Sequence, residues 1–236
     1  MKPHYQVPIV ECGESLVPIP LNLIAVVSPH PYEKLGAPYG VRSPYFLRQA
    51  VAQALLQAQD ILQAERPGWR LQVFDAYRPI AVQQFMVDYT LADRARSQGL
   101  NPEHLTPMER ETLLKQVYQF WAMPSLDPAT PPPHSTGAAI DLSLLDPTHQ
   151  PIEMGSPIDE ISERSFPNYF ANRTHPEEKP FHRNRQLLLQ VMTAAGFHQH
   201  PNEWWHFSFG DQMWAWTHNQ RNPEVPCIAR YGRVDG

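Results

Sequence analysis

His134-Ser135-Thr136-Gly137-Ala138-Ala139-Ile140-Asp141-Leu142-Ser143-Leu144 places an imidazole in a loop, a glycine after it, and then an alternation with the period of a β-strand. Ala138, Ile140, Leu142 and Leu144 fall on one face and are all apolar, which leaves Ala139, Asp141 and Ser143 on the other. The apolar face belongs against a core. Asp141 therefore faces a pocket or solvent, and Gly137 lets the chain turn so that His134 can return to the same side.

Some sixty residues further on, Glu203-Trp204-Trp205-His206-Phe207 sets a glutamate and a histidine three apart among large aromatics. A catalytic zinc takes three N or O ligands from the protein and keeps a fourth position for water, and two histidines with one carboxylate form such a set. His134, Asp141 and His206 supply it. A separate base is then needed to take the proton as water attacks a carbonyl, and Glu203 is the candidate. Residues three apart in a regular strand point to opposite faces, so Glu203 is expected just before the ladder or on a bulge, a position that Pro201-Asn202 upstream favours.

Upstream, Phe74-Asp75-Ala76-Tyr77-Arg78-Pro79 closes a short strand over 71–74. Arg78 would stand as a permanent cation beside the metal, able to stabilise the oxyanion of a tetrahedral intermediate, with Asp75 to orient it.

The surrounding pattern predicts an amphipathic helix over 45–65, introduced by Ser43-Pro44 and stopped by Pro67-Gly68. A second helix opens at Pro79. A third begins at the capping box Thr106-Pro107-Met108-Glu109 and runs to about 121, and a fourth covers roughly 184–195 and ends at Gly196. Further strands are expected over 138–144, 197–200 and 204–209. Together with 71–74 they make a small antiparallel sheet packed by helices, an α+β fold. Twenty-six prolines, dense near the N-terminus, at 131–133 and over 151–180, imply long stiff loops.

Composition narrows the function classes. The 236 residues fit one domain over 1–236, with 42% hydrophobic and 18% charged residues near globular values. A net charge of -5 without any Lys/Arg block gives no footprint for nucleic acid or anionic membrane. Cys12 and Cys227 read as free thiols. No basic stretch followed by an apolar core precedes the first helix, which points to the cytoplasm. Taken singly, His4, His30, His104, His149, His175, His182 and His218 read as ordinary surface or hydrogen-bonded residues. His198 and His200 share a strand face but lack a carboxylate partner at metal-binding spacing, and Trp204 and Trp205 read as core and pocket wall.

The Asp-x-Tyr-Arg-Pro, His-x-x-Gly-x-Ala-x-Asp and Glu-x-x-His signatures, in that order at Asp75–Pro79, His134–Asp141 and Glu203–His206, resemble the M15 zinc peptidases, especially the D-alanyl-D-alanine dipeptidases of the VanX type. The resemblance implies one Zn²⁺ held by His134, Asp141 and His206, Glu203 as base, Arg78 as oxyanion stabiliser, and hydrolysis of a small dipeptide in peptidoglycan-precursor turnover or D-alanine salvage. Met154-Gly155-Ser156-Pro157-Ile158-Asp159 is similar to the family's segment whose aspartate holds the substrate's ammonium group, a role that passes to Asp159. The family's serine two residues before the first metal-binding histidine is Pro132 here, which alters the grip on the amino end. Two alternatives stand beside this expectation. One is a DD- or LD-carboxypeptidase or endopeptidase acting on peptidoglycan peptides, and the other a non-catalytic zinc-stabilised binding module.

Overall fold

A computed structural model describes residues 2–234, so Met1, Asp235 and Gly236 of the expected 1–236 span lie outside the described residues. The chain is α+β. A short pair, β1 (Leu16–Pro18) and a strand at Phe46–Arg48, stands apart from a five-stranded sheet whose first strand is β2 (Ala25–Val26). After β2 come α1 (Pro31–Lys34), β3 (Phe46–Arg48), α2 (Gln49–Glu65), β4 (Arg70–Asp75), α3 (Ile80–Ser97) and α4 (Pro107–Val117). The second half supplies β5 (Ala139–Leu145), α5 (Lys179–Ala194), β6 (His198–Gln199), β7 (His206–Ser208) and α6 (Gln212–Arg221). No helix of the described residues is long and apolar enough to cross a membrane.

The large sheet has the order β2-β4-β5-β7-β6. Three of its four pairings are antiparallel as expected, but β2 runs parallel to β4, with Ala25 opposite Gln72 and Val26 opposite Val73. The four expected strands thus pair antiparallel throughout, and β2 is an added parallel edge strand. Two residues carry no alternation to reveal such a strand, and parallel pairing at an edge needs only the return of the chain through α1 and α2. The helix expected over 45–65 begins instead at Gln49, because Phe46–Arg48 are drawn into pairing with Leu16–Pro18. The helix from the capping box ends at Val117, not 121, and α5 starts five residues before its expected 184. Thr106 and Glu109 do form the reciprocal cap: the Thr106 amide donates to Glu109 Oε2 at 2.8 Å.

The apolar face of β5 is where the sequence puts it. Ala138, Ile140, Leu142 and Leu144 are fully buried with Val51, Leu55 and Leu62 of α2 and Leu188 and Val191 of α5. Each such leucine contributes roughly 1.5–3 kcal/mol by leaving water. Val82, Met86, Val87 and Leu91 of α3 pack with Leu113 and Val117 of α4 and with Trp121, Tyr32 and Tyr39 in a second cluster. The opposite face of β5, with Asp141, is thereby left between this second cluster and α6.

Candidate metal and catalytic site

Strand register builds the site. Asp141 lies opposite Asp75 on β4 and opposite His206 on β7, so three polar side chains form one row across adjacent strands. Regular pairing would not give this row. Arg70, Leu71, Gln72 and Val73 pair in turn with Leu145, Leu144, Ser143 and Leu142, a register that, continued, would set Asp75 against Ile140 on the apolar face. An irregularity between Val73 and Asp75 shifts the pairing by one and turns Asp75 to the side of Asp141.

His134 joins the row from the turn before β5. Its short 3₁₀ helix, Pro133–Thr136, ends at Gly137 with φ 70°, where a Cβ would run into a Leu16 methyl. Glycine suits both the left-handed turn and that approach. His134 Nδ1 donates to the Ala76 carbonyl at 2.7 Å, which leaves Nε2 free and aimed inward.

There Nε2 is 3.2 Å from Asp141 Oδ2 and 3.2 Å from His206 Nδ1, which is itself 3.0 Å from Asp141 Oδ1. On its far side, His206 Nε2 lies 3.4 Å from Ser208 Oγ, which donates to Asp211 at 3.0 Å. All three residues are buried. Among the described residues this triad is the group whose ligand atoms lie within 4.8 Å of one another. The donor chemistry fits zinc. Ligand bonds of about 2.0–2.1 Å in a tetrahedron set neighbouring donors about 3.3 Å apart, close to what the side chains present.

Glu203 sits before β7, outside the ladder, as its spacing from His206 requires. Its Oε2 is 3.8 Å from His206 Nδ1 and its Oε1 3.7 Å from His200 Nδ1. Burial, then the Asp141 charge, push this carboxyl well above the usual range, against a smaller pull from Lys2.

Arg78 is clamped from behind. Nε and Nη2 reach Asp75 Oδ2 at 2.9 and 2.6 Å, Nη1 donates to Gln83 Oε1 at 2.9 Å, and the guanidinium lies 5.1 Å from the Tyr32 ring centre and 5.0 Å from that of Trp121. Its Nη2 is 3.5 Å from Asp141 Oδ2, at the edge of the triad. Asp75 is saturated in turn by His30 Nε2 and Tyr39 OH, each 3.1 Å from Oδ1. Burial alone would raise the Asp75 carboxyl, but the Arg78 charge and the His30 hydrogen bond outweigh it and hold it down at about 2.

Asp159 enters the same cavity from the loop after Gly155, with φ 66° and a hydrogen bond of 2.7 Å accepted from Tyr32 OH. A non-glycine residue held at positive φ in a cavity wall is the kind of strain that functional sites retain. Burial and the nearby Asp141 lift its carboxyl to about 7.

The structure thus gathers every sequence-derived candidate, His134, Asp141, His206, Glu203, Arg78 and Asp159, into one cavity. Trp205 lines it while Trp204 turns into the core and donates to Ser156 Oγ at 3.0 Å. The wall beside His134 is Pro133, next to the buried Pro132. Sequence reasoning missed His30, Tyr32, Gln83, Lys2 and His4, which are isolated in sequence and carry no spacing signal. It also passed over His200. Its carboxylate neighbour is Glu203 itself, three residues on, whereas His198 turns away to stack on Trp214 and His218.

Residues 26–228 match the family model Peptidase_M15, described as D-ala-D-ala dipeptidase. A D-alanyl-D-alanine dipeptidase from Synechocystis sp. is 52% identical over 241 residues, covering 100% of this chain and 98% of that protein. Its counterpart from Enterococcus faecalis is 33% identical over 174 residues, covering 72% and 76%. Among solved structures, a vancomycin resistance D,D-pentapeptidase, VanY, in complex with Zn(II) has 17% identity and a TM-score of 0.44, covering 75% of this chain and 79% of its own. The LD-carboxypeptidase LdcB has 15% identity and a TM-score of 0.47, covering 90% and 75%. At these values the structural likeness is distant.

Proposed function

Because the chain belongs to the M15 peptidase family, we propose that it hydrolyses D-alanyl-D-alanine, or a closely similar small dipeptide, to free amino acids, using one zinc ion held by His134, Asp141 and His206. The reading rests above all on the convergence of three ligand atoms, an elevated carboxyl and a clamped guanidinium on one cavity. Zinc bound at the triad would polarise the scissile carbonyl and lower the pKa of a water.

The protein's own groups do the rest. Glu203, its proton affinity raised by burial and by the Asp141 charge, takes the proton of the attacking water on a carboxylate oxygen and returns it to the departing amine. Of the five Arg78 donors, four are held by Asp75, Gln83 and Tyr32, so one, on Nη1, remains for the oxygen that gains charge as the carbonyl carbon becomes tetrahedral. Because Asp75 holds the guanidinium before substrate arrives, no reorganisation is needed at that moment. Asp159, oriented by Tyr32, receives the substrate's ammonium group, and a charge pair in so confined a place selects a free amino end. Trp205, Met213, Phe120 and Trp121 crowd the remaining wall, which suits methyl side chains. The reading includes a cytoplasmic setting, in turnover of peptidoglycan precursors or recovery of D-alanine.

Glu203→Gln tests the assignment. The variant should bind one zinc per chain by metal analysis yet lose at least about a thousandfold in kcat on D-alanyl-D-alanine. Near-normal turnover would refute Glu203 as base. Faster cleavage of an N-acylated D-alanyl-D-alanine than of the free dipeptide would refute the dipeptidase reading and favour a carboxypeptidase.

A further inference from the structure

One wall of the cavity is not used by the chemistry described so far. Lys2 and His4 line it beside Glu203 and His200. They belong to the N-terminal segment that forms a 3₁₀ turn over Pro3–Gln6, and that segment is firmly seated. Val7 packs with Ala215 and Ala229, Gln212 Nε2 donates to the Val7 carbonyl at 2.7 Å, and Lys2 Nζ donates to the Trp121 carbonyl at 3.3 Å. His4 is only 4% exposed, yet its Nε2 has no hydrogen-bond partner among the described residues. A buried ring nitrogen in a cavity wall without a partner is an invitation to a ligand. Beyond these two side chains lies a second groove, which shares Lys2, His4, Phe120, His200 and Met213 with the catalytic cavity and continues past Tyr118, Phe166 and Trp216. Lys2 and His4 therefore stand in the partition between them.

The two ends of the cavity differ in charge. Asp159 is influenced by Asp141, Arg78 and Asp75, whereas Lys2 faces the charge of Glu203, and His4 those of Lys2 and His206. A dipeptide whose ammonium group sits on Asp159 must carry its free carboxylate into a space that already holds the carboxyl groups of Asp141 and Glu203. Arg78 is engaged with Asp75, Gln83 and the reacting oxygen, so another donor is required. Among the cavity-lining residues, Lys2 brings an ammonium group with two donors beyond the one given to Trp121, and His4 an uncommitted ring nitrogen.

We propose that Lys2 and His4 form the subsite for the substrate's C-terminal carboxylate, so that the N-terminal turn closes the leaving-group side and confines the enzyme to dipeptides. The proposal rests on the dipeptidase reading above. Burial keeps His4 neutral, at about 4, so its ring offers a hydrogen bond without a competing charge.

Steady-state kinetics on D-alanyl-D-alanine and on D-alanyl-D-alaninamide, which differ only at this end, test it. The wild type should favour the free acid by roughly tenfold or more in kcat/KM. Lys2→Met should raise KM for the acid by roughly tenfold, with kcat within about threefold, and leave KM for the amide unchanged. Lys2→Arg should restore most of the preference, and His4→Phe should weaken it in the same direction. Turnover of the amide reports within each variant that the protein is folded. Equal effects of Lys2→Met on acid and amide, or a wild type indifferent between them, would overturn the subsite while the dipeptidase reading stands. A wild type that cleaves no D-alanyl-D-alanine would sink both.

Discussion

Arg78→Lys separates the two tasks that the proposed function assigns to the arginine. In the structure the guanidinium makes two hydrogen bonds to Asp75, one to Gln83 and one to Tyr32 OH, and lies between two aromatic rings, all while presenting an edge 3.5 Å from Asp141. Lysine keeps the charge opposite Asp75 but cannot hold these partners together and still present a donor. The stability loss should therefore be modest, about 1–2 kcal/mol from the lost fork and ring contacts. Arg78→Ala should cost about 3–5 kcal/mol, because Asp75, which is 0% exposed, would lose the guanidinium that compensates its buried charge. Catalysis should separate differently. Loss of a preorganised donor to a developing oxyanion costs about 2.7–4 kcal/mol, or roughly 10²–10³ in kcat, with little change in KM because the contact strengthens only in the transition state. Thermal melts of the two variants, together with initial rates on D-alanyl-D-alanine, read both quantities. If Arg78→Lys kept kcat within about tenfold of wild type while losing stability as expected, Arg78 would be an anchor for Asp75 and not an oxyanion donor.

Two further outcomes follow from the same geometry. Chelation should abolish activity but leave far-UV circular dichroism nearly unchanged, because His134 is held by Ala76 and His206 by Ser208 without the ion; zinc at a hundredfold above Kd should then add about 2.7 kcal/mol, which a rise in Tm would report. Unfolding on chelation would instead support a structural zinc and a binding module. In the metal-free protein, Asp159 has its folded pKa, about 7, above its unfolded value, so the folded state binds the extra proton and stability falls as pH rises from about 4 to about 7. Asp159→Asn should remove that part of the slope in denaturant titrations across this window, and an unchanged slope would contradict the perturbed carboxyl.

What the sequence revealed, and what it did not, follows from the range of each signal. The apolar face of β5 could be read because alternation is local: Ile140 and Leu142 must go inward, so Asp141 must not. The place of Glu203 could be read because residues three apart cannot share a face inside a ladder. The start of α2 could not, since Phe46 and Leu47 fit a helical stripe as well as a strand, and the deciding partner, Leu16–Pro18, lies thirty residues away. The same applies to the bulge before Asp75: the alternation of Leu71 and Val73 carries on to place Asp75 in the core, and only pairing with β5 turns it out. His30, Lys2 and His4 are the extreme case, single residues from the first thirty positions brought against side chains beyond position 70 by tertiary packing alone.

The charges in and around the cavity make a final argument for a divalent ion. Asp75, Asp141, Asp159 and Glu203 are four carboxylates, set against two cations, Arg78 and Lys2. Fully ionised, these side chains leave an excess of two negative charges in a buried volume, which the protein's own groups relieve by binding protons. Asp75 and Asp141 are held low by close contact with a cation or an imidazole, and the strain falls on Asp159, which has no such contact, and on Glu203, whose imidazole neighbours stand off at 3.7 and 3.8 Å, so the proton affinities of both rise. A dication at the triad brings the total to neutrality without protons. Under the proposed function, the two groups then released to ionise would be the one assigned to accept a proton from water and the one assigned to meet an ammonium group. Metal binding and readiness for substrate would then be one electrostatic event, with the elevated carboxyls the complement of the ligand set.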